Sequence, residues 1–150
     1  MSEVQQILES AGSVLVVDWP SRDVPETLAR AGFEVVVAGG PEPDSYSAYE
    51  VRDGEVVVRH IGLAPDHADL VYSHRPLDEL PGIVAAAQKL GAQTVWYQSG
   101  LGSGGADDPH GCWVPEEQSR QARRVVEGAG LAYVEDTYIA DAVRGLGVQK

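Results

Sequence analysis

SVLVVDWPSRDVPETLARAG, residues 13–32, decides the fold: an apolar run without polar alternation passes through a short polar turn into a helical pattern. Val14 to Val17 read as a strand covered on both faces, because a half-exposed strand would alternate apolar with polar residues. Asp23 is placed to cap the helix, Glu26 three residues on completes a capping box, and Pro25 is tolerated in the first turn. Gly32 ends it. In open parallel sheets, ligands sit where strands hand over to such turns. This turn is poor in glycine: Asp18, Trp19, Pro20, Ser21 and Arg22 stand where a dinucleotide fingerprint needs small residues, so that phosphates can approach the backbone.

Outward from this unit the pattern repeats. A helix is predicted around Val4 to Ser10, and further strands at Glu34 to Ala38, Leu70 to Tyr72, Thr94 to Tyr97 and Ala132 to Val134. Leu80, Ile83, Val84, Ala87 and Leu90 keep helical spacing up to Gly91, and Gln118 to Ala129 repeat that logic after Pro115, up to Gly130. A last helix is predicted from Thr137 to about Leu146, capped by Asp136. Strands alternating with helices imply a three-layer α/β sandwich, with a parallel sheet of about five strands and helices on both faces. One interruption, Ala48 to Val51, Asp53-Gly54, then Glu55 to Ile61, reads as a small antiparallel hairpin inserted into that scheme. Gly100 to Gly111 is the loop whose length and glycine content suggest mobility.

The chain has 150 residues, 43% of them hydrophobic, which suits one domain spanning 1–150. Cys112 is the single cysteine, so no internal disulfide framework exists. The first segment carries Glu3 and Glu9 and no apolar run of spanning length, so neither a signal peptide nor a membrane helix is expected, and a cytoplasmic location is the default reading. The formal net charge is -12 with only two lysines, Lys89 and Lys150. Such a field repels nucleic acid and anionic membranes, and an anionic ligand would depend on local donors: backbone amides at helix starts and isolated arginines such as Arg22 and Arg75.

The strand ends, taken in order, carry VVVAGGP (residues 35–41), DLVYSHRP (69–76), TVWYQSG (94–100) and AGLAYVEDTYIAD (129–141). Over roughly residues 13–142 the chain thereby resembles the small stand-alone CoA-binding proteins, related to the Rossmann-like CoA-binding domain of the succinyl-CoA synthetase alpha subunit. The resemblance implies a cleft along the carboxyl edge of the sheet that receives CoA or an acyl-CoA. Trp19, Ser21 and Arg22 would face the phosphates, Gly39, Gly40 and Pro41 the adenosine end, and His74, Arg75 and Pro76 the other side of the cleft. Gln98, Ser99 and Gly100 would lie near the pantetheine route. The family usually begins its first turn with glycine and a small or hydroxylated residue, whereas Asp18 and Trp19 stand there in this chain and the turn is shorter by about half a dozen residues. Asp18 would repel a phosphate unless its carboxylate caps the helix or binds Arg22. NAD or another adenine nucleotide ranks behind CoA, since the glycine spacing of a dinucleotide site is missing.

Several residues carry two readings. Trp19 could stack on an adenine or cover a thioester, or it could close the top of the core. Arg75 could grip a phosphate in two-pronged fashion, or form a surface ion pair with Asp78 or Glu79. His74, His110 and Cys112 invite an enzyme with a reshaped pocket, in which His74 or Cys112 acts as acid, base or nucleophile. However, His110 and Cys112 offer two ligands where a closed zinc site needs four, and His60 and His67 are scattered. No catalytic or metal-binding residue is therefore assigned. Tyr133, Tyr138, Ile139 and Val143 could form a homodimer patch or belong to the core. A fold whose nucleotide site has decayed into a regulatory or oligomerisation role is the remaining alternative.

Overall fold

The structure, a computed structural model, describes residues 2–19, 21–38, 45–135 and 137–150. The elements are α1 (Glu3–Ser10), β1 (Ser13–Val17), α2 (Asp23–Arg30), β2 (Glu34–Ala38), β3 (Tyr46–Arg52), β4 (Glu55–His60), β5 (Leu70–Ser73), a single 3-10 turn (Leu77–Glu79), α3 (Leu80–Lys89), β6 (Thr94–Tyr97), α4 (Glu116–Gly128), β7 (Ala132–Val134) and α5 (Ile139–Leu146). Among the described residues the sheet runs β4-β3-β2-β1-β5-β6-β7. β2, β1, β5, β6 and β7 are parallel, which matches the five parallel strands expected.

Strand periodicity sorts the core into two layers. Val14 and Val16 of β1, Leu70 and Tyr72 of β5 and Trp96 of β6 point to one face, with Leu8, Leu28 and Ile139 of α1, α2 and α5 over them. Leu15, Val71, Val95 and Tyr97 point to the other, under Val84 and Ala87 of α3 and Ala122 and Val126 of α4. Burying each such aliphatic side chain contributes about 1.5–3 kcal/mol, so a strand apolar on both sides is held from both sides. Trp96 is fully buried and places its indole N–H on the Thr137 carbonyl at 2.9 Å, which fixes the chain just before α5.

The hairpin departs from the expectation of an ornament. β3 pairs antiparallel with β2 from Val35–Tyr49 to Ala38–Tyr46, so the hairpin extends the main sheet and the sheet has two strands more than about five. Asp53 (φ 52°) and Gly54 (φ 80°) form its turn, both left-handed as a two-residue hairpin of this kind requires. Arg30 donates to the Gly54 carbonyl at 3.0 Å and ties that turn to α2.

The cap of α2 also differs from the sequence reading. The helix begins at Asp23 itself, Arg22 occupies the cap position without a side-chain hydrogen bond, and Glu26 pairs with Arg22 at 3.5 Å rather than closing a box. Asp23 instead spans to α5, accepting from the Tyr138 phenol at 2.9 Å and from both Arg144 nitrogens at 2.8 and 3.2 Å. α5 starts at Ile139, two residues later than expected, and Asp136, the expected cap, lies outside the described residues. Tyr133, Tyr138, Ile139 and Val143 are each no more than 5% exposed, so they are core and not a dimer patch. No helix among the described residues is long and apolar enough to cross a membrane.

Candidate functional site

The chain leaves β1, builds β2 on one side and the hairpin beyond it, then returns to place β5 on the other side of β1. This reversal of direction makes a topological switch point at the carboxyl ends of β1 and β5, the position at which open α/β sheets take ligands. Asp18 and Trp19 follow β1 there, and His74, Arg75 and Pro76 follow β5. The end of β1 is stitched to both neighbours, since the His74 amide after β5 donates to the Val17 carbonyl at 3.1 Å and the Asp18 amide to the Ala38 carbonyl of β2 at 3.2 Å.

Asp18 sits at φ 59°, a left-handed conformation that aspartate tolerates better than most residues. One carboxylate oxygen accepts from the Trp19 amide at 2.8 Å. The other accepts from Arg75 at 3.2 Å. Asp18 thus pairs with Arg75 from the neighbouring strand end, and Arg22 pairs with Glu26 instead. Arg75 is engaged a second time: its Nε and second terminal nitrogen reach Glu79, the closest contact being 2.7 Å. Glu79 before Asp18, by hydrogen bonding, raises the guanidinium pKa further above its ordinary value. Of the two surface partners expected, Glu79 is the one used. Arg75, at the end of β5, is therefore clasped by two carboxylates, on side chains about two-fifths exposed.

Trp19 is half-buried and packs on the core layer beneath α2 and α5. Ser21 carries a buried hydroxyl close to the Tyr138 phenol, on which it acts to lower the pKa. Burial is the main cause that pushes the Tyr138 phenol up to about 12. Arg22 is largely exposed. Gly39, Gly40 and Pro41 lie outside the described residues.

The His74 ring abuts Gly100, where a Cβ would come within 2.2 Å of it; Gly100 also has φ +74°. Its Nδ1 is 3.3 Å from the Gln98 carbonyl. The Gln98 side chain is buried with both ends engaged: its oxygen accepts from the Tyr72 phenol and its amide donates to Pro109 at 2.8 Å. Burial also raises the Tyr72 phenol far above its usual range. Ser99 accepts from the Leu101 amide at 3.1 Å, and Pro76 opens the 3-10 turn that leads into α3.

The loop from 98 to 113 folds on itself. Gly100 donates to Gly111 at 2.9 Å, Leu101 bridges Asp107, and Trp113 donates back to Leu101 at 3.0 Å. Its glycines serve close backbone packing, since a Cβ on Gly111 would sit 2.3 Å from the Leu101 carbonyl carbon. The His110 ring stacks on Tyr138 with centroids 4.2 Å apart, beside Cys112 in a shallow hollow. Sequence reasoning missed this chain of contacts from the 98–113 loop through Tyr138 to Asp23 at the start of α2. The stacked partners are far apart in sequence, and no local pattern marks them. Among the described residues no cluster of histidine, cysteine and carboxylates could hold a metal ion.

The model of the family described as CoA binding domain matches residues 11–140. The chain belongs to this CoA-binding family. No curated protein matches it. Among solved structures it is similar to Prb, the PH1109 protein redesigned for binding, with a TM-score of 0.62 and 20% identity over 99% of this chain and 92% of that one. It is also similar to the protein cell-free ID.343 from Thermus thermophilus, with a TM-score of 0.57 and 22% identity over 97% of this chain and 99% of the other. At these identities the likeness is one of fold.

Proposed function

We propose that this member of the CoA-binding family holds CoA, or an acyl-CoA, at the carboxyl edge of its parallel sheet, as one ligand-binding domain. The observation that supports this reading is the switch point between the carboxyl ends of β1 and β5, where Arg75 pairs with Asp18. A phosphate there would take the place of the Asp18 carboxylate on the guanidinium, an exchange of one anion for another that needs little movement of the backbone. Arg22 and the amides at the start of α2 are the remaining donors on the phosphate side, and Trp19 and Ser21 line that turn. Gly39, Gly40 and Pro41 would meet the adenosine end. Pro76 with His74 shapes the opposite wall, and Gln98, Ser99 and Gly100 the pantetheine route. Gln98, with both ends of its side chain engaged, would act there by fixing the loop rather than by direct contact.

The test is a calorimetric titration of CoA into the protein and into Arg75→Ala. Saturable binding that weakens on the order of tenfold in the variant is expected, since a charge-assisted hydrogen bond contributes about 1.5–3 kcal/mol before exposure is discounted. Equal affinities would remove Arg75 from the site.

A further inference from the structure

We infer that β4 pairs with the β4 of a second copy of this chain, antiparallel about a two-fold axis through Val57, so that two sheets become one. β4 is the outer strand of the sheet, and among the described residues nothing pairs with its far edge. Natural edges are usually blunted by proline, a bulge or inward-facing charge. β4 reads EVVVRH, has no proline, and keeps an unbroken register with β3 over six pairs from Arg52–Glu55 to Ser47–His60. Val57 and Val58 on it, and Val51 beside it on β3, are 37%, 48% and 43% exposed.

The hydrogen-bonding parity selects the register. The Ile61 amide donates to the Tyr46 carbonyl at 3.0 Å, so odd-numbered residues of this strand bond inward to β3. Alternation leaves the N–H and C=O of Val56, Val58 and His60 directed outward. In a sheet continued by a two-fold axis normal to it, directly opposed residues share a face, and even residues must meet even ones. With Val57 opposite Val57, Val56 exchanges both hydrogen bonds with Val58 of the other copy, and the same pair recurs across the axis. This register also sets Glu55 opposite Arg59 of the other copy, twice. Both side chains are exposed, and Glu55 has no ion pair among the described residues. Arg59 leans on Glu50, which keeps Arg52 as a second partner.

On one face the pairing continues the row Val51–Val56 of one copy into Val58–Tyr49 of the other, covering the exposed Val51 and Val58, while Val57 on the other face meets its own copy. On the other face Glu55 falls between Arg52 of its own hairpin and Arg59 of the other copy. Shifting the register by two in either direction places Val57 opposite Arg59, or Glu55 opposite Val57, and loses both charge pairs. The edge is thus complementary to itself in one register, which is the requirement for an isologous dimer.

Sedimentation velocity across a micromolar concentration series tests this. The expected result is a species of twice the 16.0 kDa chain mass. Glu55→Arg, which sets arginine opposite arginine, and Val57→Lys, which sets two ammonium groups on the axis, should each raise the dimer dissociation constant by roughly tenfold or more. The double variant E55R/R59E should restore it, with circular dichroism unchanged throughout. A wild-type monomer across the series, a dimer indifferent to the single variants, or a charge-swapped chain as dissociated as E55R would each overturn the pairing.

Discussion

Replacing Asp18 with asparagine should tighten CoA binding. The variant keeps the shape of the turn: asparagine also tolerates the φ of 59°, and its side-chain oxygen can still accept from the Trp19 amide. What it removes is one of the two negative charges clasping Arg75. The Asp18–Arg75 contact is a single 3.2 Å bond between side chains 40% and 41% exposed, so breaking it costs a ligand only about 0.5 kcal/mol. Once displaced, the carboxylate still stands on the order of 6 Å from a phosphate oxygen on the guanidinium, a repulsion of about 0.7 kcal/mol at the dielectric of water. Together these amount to on the order of 1 kcal/mol, or roughly a fivefold fall in Kd. Calorimetry in low salt reads the change directly, and the gap between variant and wild type should narrow as salt screens the repulsion. The melting temperature should stay within about 2 °C, as a near-isosteric surface change allows. Unchanged or weaker CoA binding at an unchanged melting temperature would refute the idea that Asp18 competes with the ligand for Arg75.

Gly100→Ala should destabilise the fold by about 3 kcal/mol, from a left-handed backbone and a Cβ driven into the His74 ring, and lower the melting temperature by on the order of 10 °C. Adding His74→Ala should recover the steric part alone, and a wild-type melting curve for the single variant would show that the contact is wrong. Asp69 accepts from the Gly12 and Ser13 amides at 2.8 and 3.1 Å and touches His67, and the Gly12 bond is the largest cause holding its carboxyl below the ordinary 3.8. Because its folded pKa is depressed, its contribution is present above the unfolded value of about 3.8 and is lost as pH falls through the folded one. Asp69→Asn should therefore cost about 1 kcal/mol at pH 7 and progressively less below pH 4 in urea melts, and a pH-independent deficit would contradict that assignment.

The features legible in the sequence were those set by near neighbours. β1 could be read as doubly covered because Val14 to Val17 admit no polar residue, and the structure puts Val14 and Val16 in one core layer and Leu15 in the other. Asp53-Gly54 announced its turn because two left-handed residues in succession are costly for most other pairs. Glu79 was legible as a partner of Arg75 because it lies one helical turn away. Asp18, the other partner, is 57 residues distant and meets Arg75 only because β1 and β5 are adjacent. Asp23 looked like a cap for the same reason that it serves as a tie to α5: a short carboxylate at a helix start satisfies whichever donors arrive, and Tyr138 and Arg144 arrive from the far end of the chain. Gln98 stood in a polar tetrapeptide, YQSG, that gave no sign of its burial beneath the 98–113 loop.

The most direct test of the CoA site is amide chemical-shift mapping of isotopically labelled protein titrated with CoA. The account predicts saturable shifts concentrated at the carboxyl edge, in residues 17–22, 39–40, 73–77 and 98–100, with the amino-edge amides of Gly12, Ser13 and Asp69 unmoved. Saturable shifts centred on the amino edge or on the β3–β4 hairpin, or none at millimolar CoA, would contradict it.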